Sequence, residues 1–411
     1  MPASAVSTED DYYWSSYFDE IYHARTAYEQ LKSYTIYETT HPPLGKILIS
    51  IGIAVFGMNP FGWRCVGAAC GVLMVFVMYL LAKELFDGEK TALFTAFVFA
   101  FDFMHYTQTR IATVDSYVVL FVMLMFLFMI RWAKLPLGEK SLSAYYNLFM
   151  SGLFMGCAVS VKWNGAYSAL GLAVYFFVAL WLKYADHKAL GNKDGVKKSV
   201  TICLWCCLFF VLIPAVVYFA SFRPVLYTDG VARALAAFIR KQLHMFSYHS
   251  KLVAEHFFAS DWYTWPVILK PIWYSISRYG DMASSISAFG NPAVWLAMIP
   301  ALIFMICRCV KTKDRGGIAV LCGYLGSFLP WMAITRLAFI YHYFPATVFG
   351  VLAIGYVIDK LLETSKGEKA VYVYLAAVLV LFVVFFPAIS GLPAKASYLD
   401  SLELLDTWYF N

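Results

Sequence analysis

Long apolar segments separated by short polar ones dominate the chain from residue 63 onwards. A helix needs about 20 apolar residues, within a range of about 17 to 25, to cross the hydrocarbon core of a bilayer. This pattern indicates an all-α, polytopic integral membrane protein. It predicts ten spanning helices, with ends placed to within several residues, at 63–86, 91–108, 112–130, 145–161, 164–182, 199–221, 293–310, 317–335, 338–359 and 370–391.

The first 62 residues follow a different pattern. The segment 1–16 has no basic region followed by an apolar one, so it is not a signal peptide. Pro42-Pro43 cannot occupy a helix interior, and the apolar segment 46–56 that follows is too short to span. We expect 46–56 to lie as a helix in the membrane interface and to hold the acidic loop around Asp19-Glu20 against the bilayer.

Composition and charge support a membrane protein and orient it. The chain is 61% hydrophobic and 14% charged, with a mean hydropathy of +0.65. Alternate short loops are basic, and basic loops face the cytoplasm, so the N-terminal segment and the long loop 222–292 face outward. The net charge of +6 follows mainly from these loops and gives no reason to expect a nucleic acid. The basic residues are Arg131, Lys134, Lys140, Lys183, Lys188, Lys193, Lys197, Lys198, Arg308, Lys311, Lys313, Arg315, Lys360, Lys366 and Lys369.

Polar and ionisable side chains recur at the outward ends of the predicted helices. Such residues at membrane depth are costly and are candidates for function. Several outward cations together suit a phosphate ligand. Single residues leave a second interpretation open, because Lys162 can snorkel to the interface and Asp19-Glu20 can be a solvated acidic loop. The candidates are Asp19 and Glu20, then Arg110, Asp115, Lys162, Trp163, Arg336 and His342.

The outward loop 222–292 is rich in aromatic residues. Two interpretations stay open for them. They can form an aromatic belt at the interface, or they can belong to a loop that covers an active site and stacks on a peptide or a sugar. The residues are Tyr248, Phe257, Phe258, Trp262, Tyr263, Trp265, Trp273 and Tyr274.

The cysteines give no firm sign of a metal site. Cys203, Cys206 and Cys207 have a spacing found in metal sites, but they lie in an apolar predicted helix without histidine partners. We interpret all nine cysteines as small packing residues.

Six ordered motifs resemble those of the protein O-mannosyltransferase family, within the glycosyltransferase C superfamily, and they cover nearly the whole chain. They are Tyr17-Phe18-Asp19-Glu20-Ile21-Tyr22-His23-Ala24-Arg25, His41-Pro42-Pro43-Leu44-Gly45-Lys46, Thr109-Arg110-Ile111-Ala112-Thr113-Val114-Asp115-Ser116, Ser160-Val161-Lys162-Trp163-Asn164-Gly165, Gly290-Asn291-Pro292-Ala293-Val294-Trp295, and the segment from Leu329-Pro330-Trp331 to Tyr341-His342-Tyr343-Phe344-Pro345.

The resemblance implies an inverting transfer of mannose from a polyprenyl-phosphate (dolichyl-phosphate in eukaryotes) carrier to Ser or Thr of a translocating protein. A hydroxyl is a poor nucleophile and needs a base. Asp19 would be that base, and Glu20 would orient the acceptor or support Asp19. Arg110, Arg336 and His342 would stabilise the leaving phosphate. His41 and Lys46 are further candidates for substrate binding, as are Asp115, Lys162 and Trp163. No activated metal-bound water is required, because protein cations can hold the leaving phosphate, but a divalent metal stays open because some superfamily members use one.

The chain departs from the family in two respects. Members usually carry one more spanning helix before the acidic loop, so we expect a truncated product, a misplaced start or half of a split enzyme. The loop 222–292 is too short for the sugar-binding trefoil domain of eukaryotic members, which suggests a bacterial or otherwise minimal protein. The expected regions are 1–62 with the acidic loop and interfacial helix, 63–221 with the N-terminal spanning helices, the extracytoplasmic loop 222–292, and 293–411 with four spanning helices.

The expected function is protein mannosylation in the cell membrane, with the active site on the extracytoplasmic face. The expected partners are the donor lipid, acceptor proteins and membrane lipids. One alternative keeps the fold but changes the sugar or the acceptor, and another is a non-catalytic partner subunit. A transporter is disfavoured, because transporters place ionisable groups near the bilayer midplane and often contain repeated halves.

Overall fold

The computed structural model describes residues 15–86, 88–139, 141–226, 231–251 and 255–411. Lys140 and the segment 1–14, which entered the expectations above, lie outside these ranges. Among the described residues, nine helical segments are long and apolar enough to cross a membrane. They confirm the polytopic helical architecture, and they are Pro60–Leu85, Asp115–Lys134, Leu142–Val161, Gly165–Ala189, Gly195–Val225, Pro292–Thr312, Arg315–Ala333, Ile340–Leu361 and Ser365–Ser390.

The helices are numbered along the chain. Short 3₁₀ turns extend several of them, and a π-helical turn at Leu208–Leu212 joins α9 to α10. Their bounds are α1 Glu20–Leu31, α2 Leu44–Phe56, α3 Pro60–Leu85, α4 Glu89–Ala100, α5 Phe103–Thr109, α6 Asp115–Lys134, α7 Leu142–Val161, α8 Gly165–Ala189, α9 Gly195–Cys207, α10 Ile213–Ser221, α11 Val231–Lys251, α12 Pro292–Thr312, α13 Arg315–Phe328, α14 Phe344–Leu361, α15 Ser365–Ser390 and α16 Ala396–Ser401.

The predicted helix over 91–108 is broken into α4 and α5. At the break, the amide N–H of Asn291 donates to the carboxylate of Asp102 (3.0 Å), and the Asn291 side chain donates to the carbonyl oxygen of Phe101 (3.1 Å). The two pieces still run the length of α15. Lys90 pairs with Glu368 near the start of α15, and Arg110 donates to the Ser390 carbonyl at its end. The tenth crossing is therefore made by two short helices, which the apolar pattern alone does not reveal.

The short helix α2 packs between α1 and α3. It begins after Pro43 and ends at Gly57, whose φ of +86° suits glycine. A Cβ at Gly52 would lie 2.2 Å from the carbonyl oxygen of Gly62, so only glycine permits this close crossing of α2 and α3. The helix buries Ile49 on one side and exposes Val55 on the other. It is too short to span, as the sequence predicted.

The core of the bundle is built around α14. In the most apolar stretch of Ile340–Leu361, 78% of the residues are buried, whereas only 6% are buried in Gly195–Val225. The α9–α10 segment therefore lies at the edge and presents its side chains to lipid. Ion pairs between basic loops and neighbouring acids, such as Arg131 with Glu84 and Arg315 with Asp186, gather at the end of the bundle opposite Arg110 and Lys162.

A small antiparallel sheet, which the sequence did not predict, lies at the end of the bundle that contains Arg110. Strands β1 (Ile272–Tyr279) and β2 (Met282–Ala288) form a hairpin, and β3 (Ala394–Lys395) pairs with β2 from the C-terminal region. The hairpin turns through Gly280, whose φ is +64°. A glycine within a two-residue turn is a hairpin signal. The aromatic residues of this loop do not by themselves indicate a hairpin.

Candidate active site

A cleft with two connected lobes opens among the helix ends around Lys162. The larger lobe, of about 610 Å³, contains Asp19 and is called the Asp19 lobe. The smaller, of about 420 Å³, contains Trp163 and is called the Trp163 lobe. The lobes share four lining residues, namely His41, Lys162, His249 and Arg336.

Asp19 presents an unengaged carboxylate to the cleft. It lies at the N-terminal boundary of α1, where its backbone carbonyl accepts hydrogen bonds from Tyr22 and His23. Its side chain makes no hydrogen bond with any residue in the described ranges. Burial raises the pKa of Asp19 to about 6, and the charge of Asp115 also raises it, while Lys162 opposes the rise. A carboxylate with a pKa near the working pH is suited to act as a general base.

The backbone is strained immediately before Asp19. Phe18 has a φ of +52°, which is uncommon for a bulky residue. Its ring stacks on Tyr274 of β1 with centroids 4.2 Å apart and contacts Tyr341 edge-on at 6.1 Å. Strain of this kind persists where the surrounding structure fixes it and often occurs at functional sites. The left-handed residue turns the chain so that Asp19 lines the cleft while Glu20 enters the core.

Glu20 does not line the cleft. Its carboxylate is fully buried and accepts two 2.7 Å hydrogen bonds from the Arg64 guanidinium of α3. It also accepts the amide N–H of Ala112 at 2.8 Å, in the turn between α5 and α6. Glu20 therefore fixes the start of α1 to two other elements. The expectation from the sequence was that Glu20 would orient the acceptor or support Asp19; its pairing with Arg64, 44 residues away in the chain, was not predicted.

Lys162 forms a buried ion pair with Asp115. Their side-chain atoms lie 2.8 Å apart, and each side chain is only 8% exposed. Lys162 follows the end of α7 and lines both lobes, whereas Asp115 starts α6 and lies behind it. The ammonium does not snorkel into solvent, because Asp115 holds it at the junction of the lobes.

Arg336 is the second cation of the cleft. It is half-buried and lines both lobes, and it makes no ion pair or hydrogen bond with the residues that the structure describes. Its guanidinium can therefore bind an anion at the junction. Arg110 lies elsewhere, since it donates to the Ser390 carbonyl at 2.6 Å and to the Tyr106 hydroxyl at 3.2 Å. The expected contribution of Arg110 to a phosphate site does not fit this position.

His342 is held rigidly in the wall of the Asp19 lobe. Its Nδ1 lies 3.1 Å from the Phe339 amide nitrogen and 3.0 Å from the Phe339 carbonyl oxygen, so it accepts from the first in one tautomer and donates to the second in the other. The ring stacks on Tyr341 at 4.5 Å and lies parallel to Trp265 at 6.2 Å. The imidazole is thus held in one orientation in the wall of the lobe.

His41 and Lys46 occupy different positions. His41 lines both lobes and stacks on His249 with centroids 5.1 Å apart. Lys46 is 1% exposed and forms a buried ion pair with Glu38, so it supports the wall from behind. Burial alone would raise the pKa of Glu38, but Lys46 lowers it to about 2. Burial lowers the pKa of His41 well below its usual value, and Lys162 adds to this effect.

The Trp163 lobe has an aromatic wall. The Trp163 indole N–H donates to the Tyr218 hydroxyl at 2.9 Å, which fixes the ring. Tyr167 and Trp331 meet edge to face beside it, with centroids 5.6 Å apart. Flat, fixed rings of this kind suit the apolar faces of a sugar or a lipid.

Some lining residues were not predicted from the sequence. The Nε2–H of His249 in α11 donates to the Thr40 carbonyl oxygen at 2.7 Å. Glu38 lies in the segment between the two predicted motifs. Histidines recurring in α11 were an available signal. No group of three or more His, Cys, Asp or Glu side chains within the described ranges is placed to hold a metal ion.

Sequence comparisons give a consistent family. The model described as dolichyl-phosphate-mannose-protein mannosyltransferase matches residues 53–226, and the model of the C-terminal four TMM region of protein-O-mannosyltransferase matches 234–408. The polyprenol-phosphate-mannose–protein mannosyltransferase of Mycolicibacterium smegmatis is 26% identical, covering 95% of this chain and 87% of that protein. The protein of the same name from Mycobacterium tuberculosis is 27% identical, with coverages of 95% and 86%.

Solved structures share the fold. The S. cerevisiae protein O-mannosyltransferase Pmt1-Pmt2 complex bound to the sugar donor matches with a TM-score of 0.85 at 16% identity, covering 97% of this chain and 90% of that chain. ArnT from Cupriavidus metallidurans bound to undecaprenyl phosphate matches with a TM-score of 0.62 at 16% identity, covering 91% and 61%. The two family models together cover most of the sequence, and the fold agrees with them. The chain is a membrane glycosyltransferase that belongs to the protein O-mannosyltransferase family.

Proposed function

We propose that the protein transfers mannose from a polyprenyl-phosphate carrier to a Ser or Thr hydroxyl of a protein, with inversion at the anomeric carbon. The observation that carries the proposal is the arrangement of one free carboxylate, Asp19, in the same cleft as two cations, Lys162 and Arg336. The names of the bacterial relatives support the donor and the acceptor.

Asp19 would take the proton of the acceptor hydroxyl as its oxygen attacks the anomeric carbon. The bond between that carbon and the phosphate oxygen breaks, and the carrier leaves as a phosphate anion. Lys162 and Arg336, at the junction of the lobes, would stabilise the negative charge that develops on this oxygen. With its hydrogen on Nε2, the His342 ring would donate a further hydrogen bond.

The two lobes suggest where the substrates bind. The acceptor would enter the Asp19 lobe, because the base lies there. The mannosyl group and the first part of the lipid would occupy the Trp163 lobe, whose wall contains Trp163, Tyr167 and Trp331. The phosphate would then lie at the junction, beside both cations.

The position of the cleft supports a location for the active site, and its residues distinguish an enzyme from a non-catalytic subunit. It lies at the end of the bundle opposite the basic loops, which supports an extracytoplasmic active site in the cell membrane. The regions 1–62, 63–221, 222–292 and 293–411 remain our proposed division, supported by α10 ending at Ser221 and α12 beginning at Pro292. A base and two cations in one cleft favour an enzyme over a non-catalytic subunit.

The proposal is tested with Asp19→Asn in membranes supplied with polyprenyl-phosphate-mannose and a Ser/Thr peptide. Loss of the base should lower the rate by about 100-fold or more, with normal expression. Asp281→Asn, at the exposed hairpin turn, is the matched control and should retain full rate. Wild-type turnover by Asp19→Asn would exclude Asp19 as the base.

A further inference from the structure

The helix α11 of the outward loop has three distinct faces. One face contains Phe238, Gln242, Met245 and His249 and packs on the protein. A second is an apolar stripe of Leu235, Ile239, Leu243 and Phe246, which follows the spacing of one helix face. All four stripe residues are exposed, with Leu243 at 63% and Phe246 at 64%. The remaining face is basic and polar.

The packed face ties α11 to the protein at two places. Phe238 contacts Tyr218 and Phe222 of the α10 end, with centroids 6.0 and 5.1 Å apart, and Gln242 accepts the Tyr218 hydroxyl at 2.7 Å. His249 lies eleven residues after Phe238, about 16 Å along the helix, and is hydrogen-bonded to the Thr40 carbonyl. Both anchor points lie at outward ends of the bundle, so α11 lies across the outward surface.

The charge of α11 is entirely positive. The segment 231–251 contains Arg233, Arg240, Lys241 and Lys251 but no Asp or Glu. None of the four forms an ion pair with a residue in the described part of the chain. At 100° per residue, all four point away from the apolar stripe. An apolar face beside a basic face is typical of helices that lie in the interface of an acidic membrane.

We infer that the stripe of α11 is embedded in the outward leaflet and that its four cations bind the headgroups of acidic phospholipids. The stripe lies next to the lipid-facing surface of α10, since Phe238 of the neighbouring packed face contacts the exposed Phe219 of α10 with ring centroids 5.2 Å apart. Acidic lipid complements the uncompensated charge. A bilayer therefore fits both faces of the helix.

This docking would hold one wall of the cleft. The C-terminal half of α11 supplies His244, Tyr248 and His249 to the Asp19 lobe, and Phe246 and Ser250 to the Trp163 lobe. A helix anchored in the leaflet keeps these side chains in place. The inference does not depend on the identity of the sugar or the acceptor.

The first experiment measures depth. A genetically encoded fluorescent amino acid replaces either Leu243 or, on the opposite face, Lys241, in full-length protein in lipid nanodiscs. Brominated phospholipid should quench the label at 243 strongly, and aqueous iodide should quench the label at 241. Iodide quenching at both positions, or no bromolipid quenching at 243 because protein covers the stripe, would overturn the inference.

The second experiment measures lipid selectivity, with the label kept at 243. Brominated phosphatidylglycerol should quench more than brominated phosphatidylcholine at equal mole fraction. Each cation near an acidic surface favours binding by about fivefold, so Arg240→Gln with Lys241→Gln should abolish most of the difference. Arg278→Gln, an exposed residue of β1, is the control and should retain it. Equal quenching by both lipids in the unmodified protein would rule out acidic-lipid binding.

Neither readout requires mannosyl transfer. An inactive protein that shows both quenching patterns would support membrane docking and count against the proposed function. An active protein that shows neither pattern would count against docking alone.

Discussion

The substitution Glu20→Gln separates a positioning role from a catalytic one. The Glu20 carboxylate is fully buried and accepts two 2.7 Å hydrogen bonds from Arg64 and one of 2.8 Å from Ala112. Removing one partner of a buried ion pair costs about 3–5 kcal/mol. Glutamine keeps the shape and one acceptor oxygen, so we expect a loss near the lower limit, about 3 kcal/mol.

The assay compares thermal unfolding with initial rate for Glu20→Gln and Asp19→Asn, both purified in the same detergent. Glu20→Gln should lower the unfolding temperature clearly and should reduce the rate through misplacement of α1. Asp19→Asn should keep the unfolding temperature and lose the rate, because its side chain makes no hydrogen bond with described residues. If Glu20→Gln unfolds like the wild type yet loses about 100-fold in rate, Glu20 acts on the substrate and the reasoning is wrong.

Three further predictions concern the cleft. Arg336→Ala should raise the KM for the donor by about tenfold or more and Arg336→Lys should restore part of it, whereas Arg110→Ala should leave donor binding unchanged. In a pH–rate profile, kcat/KM should rise as the pH increases through about 6, the pKa of Asp19, because the base must be deprotonated. A flat profile between about pH 5 and 7 would contradict the assignment of Asp19 as the base. Lys46→Met should destabilise the protein by about 3–5 kcal/mol in chemical unfolding, and adding Glu38→Met should recover most of the loss, because it removes the stranded buried charge.

The sequence predicted the spanning helices and several of their ends correctly. Apolar length fixes where a helix can cross a bilayer, so the polar turns at Arg110 and Lys162 lie at helix ends in the structure as expected. The break at 101–102 was not predictable in the same way. It depends on hydrogen bonds from Asn291, which is 189 residues from Asp102 in the chain.

The roles of individual polar residues were harder to predict than their positions. Asp19 and Glu20 are adjacent, but the positive φ of Phe18 and the guanidinium of Arg64 send one carboxylate to the cleft and the other to the core. Arg110 has a side chain that could bind a phosphate, but it donates a hydrogen bond to a backbone carbonyl of α15. Such partners are set by tertiary packing, which local patterns do not contain.

The central claim is that this cleft attaches mannose to a protein hydroxyl. The most direct measurement incubates the purified protein with polyprenyl-phosphate-mannose and a Ser/Thr peptide, and analyses the peptide by mass spectrometry and the sugar linkage by NMR. We predict a peptide that carries one hexose on a hydroxyl, with the anomeric configuration inverted relative to the donor, and no product with Asp19→Asn. An unmodified peptide while the donor is consumed, or a product with retained configuration, would contradict the account.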